Sequence, residues 1–291
     1  MPPRRRPPTA SDWILIRLRR FADRSLRVRQ LAVDLGAEPD RAAVAAAALL
    51  ERSEAGDDPE VRAAVTCLVA ALAELDYPGR SALYAAAVAA DARAVARLVL
   101  DASPPTVRPA ELARQLQPER PLRARGRPLT LGERKALARR PRGDALTQLL
   151  ADPHPAVVEI LLDNPQLTER EVVRVAASRP AVPAALARVA EHPRWAPRVG
   201  VRRALALNPH TPVHVALRLL VTLAPADWRQ VLAATELAPA VRDAAAELAH
   251  ARGRRSTAIE AAATASETAS TAADAAPRSA APLDVAAAAD D

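Results

Sequence analysis

The sequence predicts an all-α fold, built as a stack of short helices. The first observation is a recurring step at Asp152-Pro153, Asn164-Pro165 and Asn208-Pro209, between short apolar segments. Proline cannot continue a helix and disfavours the α conformation of the preceding residue, so each step ends one helix and lets another begin. The second observation is composition: 50% of residues are hydrophobic but only 2% are aromatic. Small aliphatic residues suit close-packed helices and argue against a large β-sheet.

Charge is distributed unevenly along the chain. The net charge is +7, and Lys135 is the only lysine among 41 basic residues. The first 30 residues carry nine arginines against two acids, and 102–146 carry eleven bases against four, whereas 31–101 have a net charge of −6 and 256–291 of −5. A basic chain suggests nucleic acid or an anionic surface as partner. Arginine without lysine, beside abundant alanine and proline, equally fits the codons of a GC-rich genome.

A first helical domain is predicted over 11–101, after a disordered Pro- and Arg-rich tail at 1–10. Its clearest start signal is Asp58-Pro59-Glu60, where aspartate can cap, proline suits the first helical position, and glutamate favours the positive helix end. Apolar residues then follow at three- and four-residue spacing, at Val61, Val65, Leu68, Val69 and Leu72. The predicted helices of this domain run over about 11–34, 40–54, 58–75, 77–90 and 92–100.

Composition also indicates a linker and a second tail. Residues 102–128 contain six prolines with arginines between them, which predicts a semi-extended linker with one helical turn near 111–117. Residues 253–291 are rich in alanine, threonine and serine, with scattered acidic residues and no large apolar stripe. This segment has nothing to dock and is expected to be a disordered acidic tail.

A second helical domain is predicted over 129–252. Thr130 with Glu133, and Thr168 with Glu171, have the spacing of a capping box, in which each side chain bonds the backbone N–H of the other residue. The predicted helices run over about 131–140, 143–151, 155–162, 168–178, 182–191, 197–207, 212–221, 226–234 and 239–251. Most are too short to persist in water alone, so they must depend on packing. The residues expected to face inward are Val172, Val175, Ala176, Leu186, Val189, Ala190, Ala216, Leu219 and Leu220.

The turns of this second domain resemble those of the leucine-rich-repeat variant and HEAT-like families of α-helical repeats. The residues that carry the resemblance are Asp152-Pro153-His154-Pro155, Asn164-Pro165-Gln166, His192-Pro193-Arg194-Trp195 and Asn208-Pro209-His210. Asp58-Pro59-Glu60 in the first domain is similar to a HEAT-type turn. The resemblance implies an α-solenoid. Some leucine-rich-repeat variant proteins carry a cysteine cluster for iron and sulfur, which a chain with the single cysteine Cys67 lacks.

No catalytic, cofactor-binding or metal-ligating motif is recognisable, and the chain is predicted not to be an enzyme. The eight glycines form no phosphate-binding spacing, and neither G-x-S-x-G nor H-E-x-x-H occurs. His210 and His214 are four residues apart, but Pro212 lies between them and no third ligand is near, so turn and helix-face roles are expected. Cys67 lies in an apolar helical run and is expected to be a small buried hydrophobe.

The chain is predicted to be cytoplasmic. A lone cysteine fits a reducing compartment, and no apolar run approaches the roughly 18 residues of a membrane span. The apolar run at 13–16 is too short for a signal peptide. The basic first helix can in principle rest on an anionic membrane, but packing against the next helix is the favoured interpretation.

A stack of helices presents an extended surface, so the leading hypothesis is a non-enzymatic interaction or scaffold protein whose partner is another protein. Trp195 and Trp228 lie near the starts of repeat helices and are the candidate contact anchors if they are exposed, because tryptophan often dominates interface energetics. The competing interpretation is that both fill the core between repeats.

Nucleic-acid binding is the alternative function. Arg174, Arg188 and Arg218 occupy corresponding places in three predicted helices and are candidate phosphate contacts. The competing interpretation is a solvated outer face on which arginines alternate with acids such as Glu159 and Glu169. With so few aromatic side chains, stacking on bases is not expected, which leaves contact with the phosphate backbone.

Overall fold

The structure, a computed structural model, consists of short helices joined by turns, with one small hairpin, which confirms the all-α prediction. The residues that it describes are 9–56, 58–100, 109–124, 126–141, 145–254 and 257. Parts of the predicted segments lie outside the described residues: 1–8 of the first tail, 102–108 and 125 of the linker, 143–144 of the helix predicted over 143–151, and 255–256 and 258–291 of the second tail. The chain forms two compact units, Met1–Ala251 and Arg252–Asp291. Of the second unit, the described residues 252–254 and 257 are helical.

Six helices form the first block of the chain. They are α1 (Asp12–Leu18), α2 (Arg24–Ala37), α3 (Pro39–Ala55), α4 (Pro59–Glu74), α5 (Tyr77–Ala89) and α6 (Arg93–Val99). The prediction of one helix over 11–34 is wrong, because α1 ends at Leu18 and a new helix begins after Asp23. The Asp23 carboxylate accepts a hydrogen bond from the Leu26 amide at 2.9 Å and so caps α2.

The predicted linker contains a seven-residue helix, α7 (Pro109–Gln115), and a two-stranded antiparallel hairpin of β1 (Arg123–Ala124) and β2 (Arg127–Pro128). The second block then follows. Its helices are α8 (Leu131–Arg139), α9 (Ala145–Leu149), α10 (Pro155–Leu162), α11 (Glu169–Ala177), α12 (Pro183–Glu191), α13 (Val199–Ala206), α14 (Val213–Leu220), α15 (Pro225–Ala233) and α16 (239–251).

Both predicted capping boxes are present. The Thr130 hydroxyl caps α8 and the Thr168 hydroxyl caps α11, and in each case the glutamate three residues later accepts from the threonine amide at 2.8 Å. In the first box, bonds from Arg127 and Thr130 lower the pKa of Glu133 to about 2. These local bonds satisfy amide groups that a helix leaves unpaired at its first turn.

The first block packs around α3, which contacts α1, α2, α4, α5 and α6. The residues of α3 that allow this approach are small: Ala42, Ala43, Ala45 and Ala46 are all buried. These alanines lie on adjoining sides of the helix, so the backbones of several neighbouring helices can come close to it. Leucines from the surrounding helices fill the remaining space, as packing at organic-crystal density requires.

The second block has a separate hydrophobic core. In this core, several helices pack on the helix that is two places further along the chain. Helix α10 lies between α8 and α12, and α11 packs on α13. Every residue of the predicted inward stripe is buried except Ala190, which is partly buried against the same core. Because no single helix here encloses its own apolar face, the short helices depend on these neighbours for their stability.

The Asx-Pro steps between these helices are buried turns of one design. Asp152, Asn164 and Asn208 are each at least nine-tenths buried. In each turn the side-chain oxygen accepts the amide N–H two residues on, at 2.9 to 3.0 Å. The intervening proline has no N–H to satisfy, so one oxygen closes the turn.

Two of these turns also bond to an earlier helix. The Asn208 amide group donates to the carbonyls of Ala176 and Ser178, at 2.8 and 2.9 Å, at the end of α11. The Asp152 carboxylate accepts from Nη1 of Arg134 in α8, at 2.7 and 2.6 Å, and both side chains of this ion pair are 3% exposed. These two turns therefore tie the start of α10 to α8 and the start of α14 to α11, as well as joining successive helices.

The two blocks meet along a seam, the set of contacts between α1–α6 and α8–α16. Arg218 in α14 donates to the Leu98 carbonyl of α6 at 2.9 Å. Arg97 of α6 pairs with Glu247 of α16 at 2.7 Å. Val221 packs against the first core rather than the second. Arginine side chains thus make two of these three contacts across the seam.

The buried pair of Arg134 and Asp152 gives a testable expectation. Arg134→Met leaves an unpaired buried carboxylate, so we expect the free energy of unfolding to fall by about 3 to 5 kcal/mol. Asp152→Asn in the Arg134→Met background removes the buried charge and keeps the oxygen that closes the turn. Urea unfolding of the double variant should therefore recover most of the loss. If the single variant is as stable as the parent, the pair does not anchor α8 to α10.

Candidate partner-binding surface

Trp195 and Trp228, the predicted contact anchors, are core residues. They are 2% and 3% exposed. The Trp195 indole N–H donates to the Leu162 carbonyl at the end of α10, and that of Trp228 donates to the Leu220 carbonyl at the end of α14, each at 2.9 Å. The condition of exposure is not met, so these two indoles are corrected from surface anchors to interior caps of helix ends.

The three arginines predicted to track phosphates do not share one surface. Arg174 and Arg188 are exposed, and Arg188 forms an ion pair with Glu191 of its own helix at 3.6 Å. Arg218 is only 8% exposed and donates into the seam. Because it is buried, Arg218 cannot belong to a row of phosphate contacts. Its position in the sequence alone did not reveal that the first block covers α14.

The most exposed aromatic face lies on α5. Tyr77 is 79% exposed, Tyr84 39% and Val88 57%. Their spacing of seven and four residues places them on one side of the helix. We call Tyr77, Tyr84 and Val88 the α5 stripe. It contains both tyrosines of the chain, and large apolar side chains grouped on a surface are typical of a contact site.

Helix α5 is held firmly by its opposite face and its first turn. Leu83, Ala86 and Ala87 are buried in the first core. The Asp76 carboxylate accepts from the Gly79 amide at 2.9 Å and caps the helix. A Cβ at Gly79 would lie only 2.9 Å from that same carboxylate oxygen, so the tight start of α5 requires glycine here. The stripe is thus presented on a helix that is anchored by its buried face and its capped first turn.

Acidic residues lie at the two ends of α5. Glu74 and Asp76 are exposed just before α5. Asp91, just after it, is 82% exposed at its side chain and pairs with Arg93 at 3.1 Å. Over 11–101, which contains the whole first block, the net charge is −2. The stripe therefore combines an apolar centre with two acidic residues beside its start, which favours a partner with an apolar centre and a basic group at one edge.

A small depression of about 130 Å³ lies elsewhere on the first block, between α1 and α4. Arg19 closes one side with a two-point ion pair to Glu60, at 2.6 and 2.8 Å, which lowers the pKa of Glu60. The Cys67 thiol lies at its base, where burial raises the pKa of the thiol. A thiol held neutral is a poor nucleophile, so the depression has no evident reactive group.

The described ranges contain no cluster of three or more His, Cys, Asp or Glu side chains arranged to hold a metal ion. None of the helices they contain is both long and apolar enough to cross a membrane. His210 lies in the turn before α14 and His214 lies within that helix, as the sequence indicated.

Comparison with models of known protein families, with curated proteins and with solved structures found no match to this chain.

Sequence reasoning overlooked the α5 stripe although a signal was present. The two tyrosines stand seven residues apart within one predicted helix, and Val88 follows four residues later. Tryptophan dominates the energetics of many interfaces, which favoured Trp195 and Trp228 as the predicted anchors. Residue type alone, however, does not determine exposure, whereas the inward positions Leu83, Ala86 and Ala87 indicate which face of α5 is covered.

The burial of Trp195 leads to an expected outcome for Trp195→Phe. The variant loses the hydrogen bond to the Leu162 carbonyl and leaves a small void. The free energy of unfolding, measured with urea, should therefore fall by about 1 to 3 kcal/mol. Binding of any partner should be unchanged under conditions in which the variant is folded. Unchanged stability together with lost binding would instead place Trp195 in the contact surface.

Proposed function

We propose that the chain is a non-enzymatic interaction or scaffold protein that binds another protein through the α5 stripe. The observation that carries the proposal is the exposure of Tyr77, Tyr84 and Val88 on one helix face, while the tryptophans are buried. Tyrosine supplies a large contact area with few rotatable bonds, so little conformational entropy is lost when it is immobilised.

Charge complementarity defines the partner. Glu74 and Asp76 lie beside the start of the stripe, so the proposed partner presents apolar side chains with lysine or arginine at one edge. An apolar centre that excludes water strengthens the surrounding charge pairs and gives orientation to the complex. This is the arrangement expected of a protein surface or an amphipathic helix.

We assign the second block a supporting role as an α-solenoid of the HEAT-like or leucine-rich-repeat variant kind. The resemblance of its turns and the packing of α8 on α10, α10 on α12 and α11 on α13 support this proposal. In such an arrangement each helix pair contacts only its neighbours. The block then serves as an elongated frame that holds the first block and its contact face.

The α5 stripe can be tested by removing its apolar groups. The variant Tyr77→Ser/Tyr84→Ser/Val88→Ser should lose the proteins that the parent chain captures from an extract of its source cells. With the captured partner purified, we expect affinity to fall at least tenfold, as loss of one central contact residue predicts. Titration calorimetry with the purified partner measures this change.

A matched control is Val199→Ser/Leu232→Ser, since both residues are exposed apolar side chains of the second block, 50% and 37% exposed. This variant should retain the partner. All three proteins must show the same cooperative unfolding transition, because the altered residues are exposed. Equal capture by the α5 variant and the control would refute the proposed surface.

Nucleic-acid binding, the alternative suggested by the net charge of +7, is separated by salt dependence. Each phosphate neutralised contributes about −0.9 to the slope of log affinity against log salt for duplex DNA. We expect a slope near zero, or no binding, because Arg218 is buried and Arg188 is already paired. A slope of about −3 or steeper, which becomes less negative in the Arg174→Gln variant, would favour the alternative function.

A further inference from the structure

The exposed face of α5 has the pattern of a helix that pairs with a second helix. Tyr77, Ser81, Tyr84 and Val88 follow one another at spacings of four, three and four residues, and all four are exposed. This alternation is that of the a and d positions of a coiled coil, which face the second helix. The α5 stripe and Ser81 therefore form one row, with a small side chain between the two tyrosines.

This row is complementary to itself when two copies of α5 run antiparallel. A twofold axis through the middle of the row exchanges its ends, so that each contact occurs twice. Tyr77 of one copy then lies opposite Val88 of the other, and Tyr84 lies opposite Ser81. At the centre of the contact each large ring meets a small side chain, as knobs-into-holes packing requires.

The residues beside the row allow a second helix to come close. Ala82, Ala85 and Ala89 are exposed on α5. The distance between two packed helices depends on the side chains at their contact, and alanine adds little to it. The tyrosine rings of one copy can therefore reach the helix surface of the other.

Charge favours the antiparallel arrangement over the parallel one. The exposed residues Glu74 and Asp76 precede α5, whereas Asp91 and Arg93 follow it. Parallel copies would place the two acids of one copy beside those of the other. Antiparallel copies bring these acids to the end that contains Arg93, whose side chain is 87% exposed. Its pair with Asp91 is too exposed to be strong, so the guanidinium is also available to the acids of the second copy.

We propose that two copies of this chain pair through α5, antiparallel about a twofold axis, and so cover each other's α5 stripe. A second copy has the apolar centre, and in Arg93 the basic group at one edge, that the stripe favours in a partner. This inference rests on the surface of the proposed function and adds its regulation. A second copy and a different partner protein compete for one face, so binding of that partner weakens as the concentration of the chain rises.

Sedimentation velocity of the full chain tests the pairing. Between about 1 μM and 1 mM, a range of affinity typical of weak contacts, we expect the sedimentation coefficient to rise from the monomer value to that of a dimer. It should rise no further, because a twofold contact closes on itself. A chain that remains monomeric over the whole range overturns the proposal.

Two single variants should each weaken the dimer at least tenfold. Tyr84→Ser removes the ring that packs on Ser81 of the other copy, and Ser81→Tyr sets two rings against each other in the same space. Both positions are exposed, so circular dichroism should show the helix content of the parent. The matched control is Val199→Ser/Leu232→Ser, which should form dimers as the parent does.

A mixture of the two single variants provides the sharpest test. In a mixed dimer of Tyr84→Ser with Ser81→Tyr, each ring at the centre again faces a serine, as in the parent. The mixture should therefore form dimers at least tenfold more tightly than either variant alone. A mixture that is no tighter than its components would contradict the antiparallel pairing, even if the parent chain forms a dimer.

The two proposals about α5 fail in different ways. A monomeric parent whose purified partner protein no longer binds Tyr77→Ser/Tyr84→Ser/Val88→Ser refutes the pairing and leaves the proposed function in place. A parent that forms dimers with the expected response to mixing, but binds no other protein, supports the pairing and refutes that function.

Discussion

The packing of α10, α11 and α14 depends on one interaction, the closure of the turn before each helix by a buried Asp or Asn side chain. Between successive short helices the backbone must reverse direction within the core, where an unpaired amide is costly. An Asx oxygen at 2.9 to 3.0 Å from the amide two residues on satisfies one such group, and proline removes another. Without this solution, helices of eight or nine residues could not be packed so closely.

The interactions predicted well from the sequence are those that act over a few residues. Thr130 with Glu133, and Thr168 with Glu171, form the expected capping boxes because both partners lie within one turn of chain. The Asx-Pro turns are local in the same way. The division between α1 and α2 was missed although Asp23 is a local cap, since apolar residues continue at helical spacing across the break.

The features that could not be predicted depend on distant contacts. Trp195 is buried because its indole reaches the Leu162 carbonyl, 33 positions earlier. Arg218 is buried because α6 covers it, and its acceptor, Leu98, is 120 positions away. Neither fact has a signature in the neighbouring sequence. The exposure of the α5 stripe is likewise fixed by which face of α5 the first core covers.

The positions of the tryptophans make them natural optical reporters. Trp13 is buried in the first core, with the Arg17 guanidinium 3.7 Å from the centre of its ring, whereas Trp195 and Trp228 belong to the second core. Indole emission shifts with the polarity around the ring. Replacing Trp13 alone, or the other two together, therefore gives chains whose fluorescence reports on a single block, and the order in which the blocks loosen becomes visible.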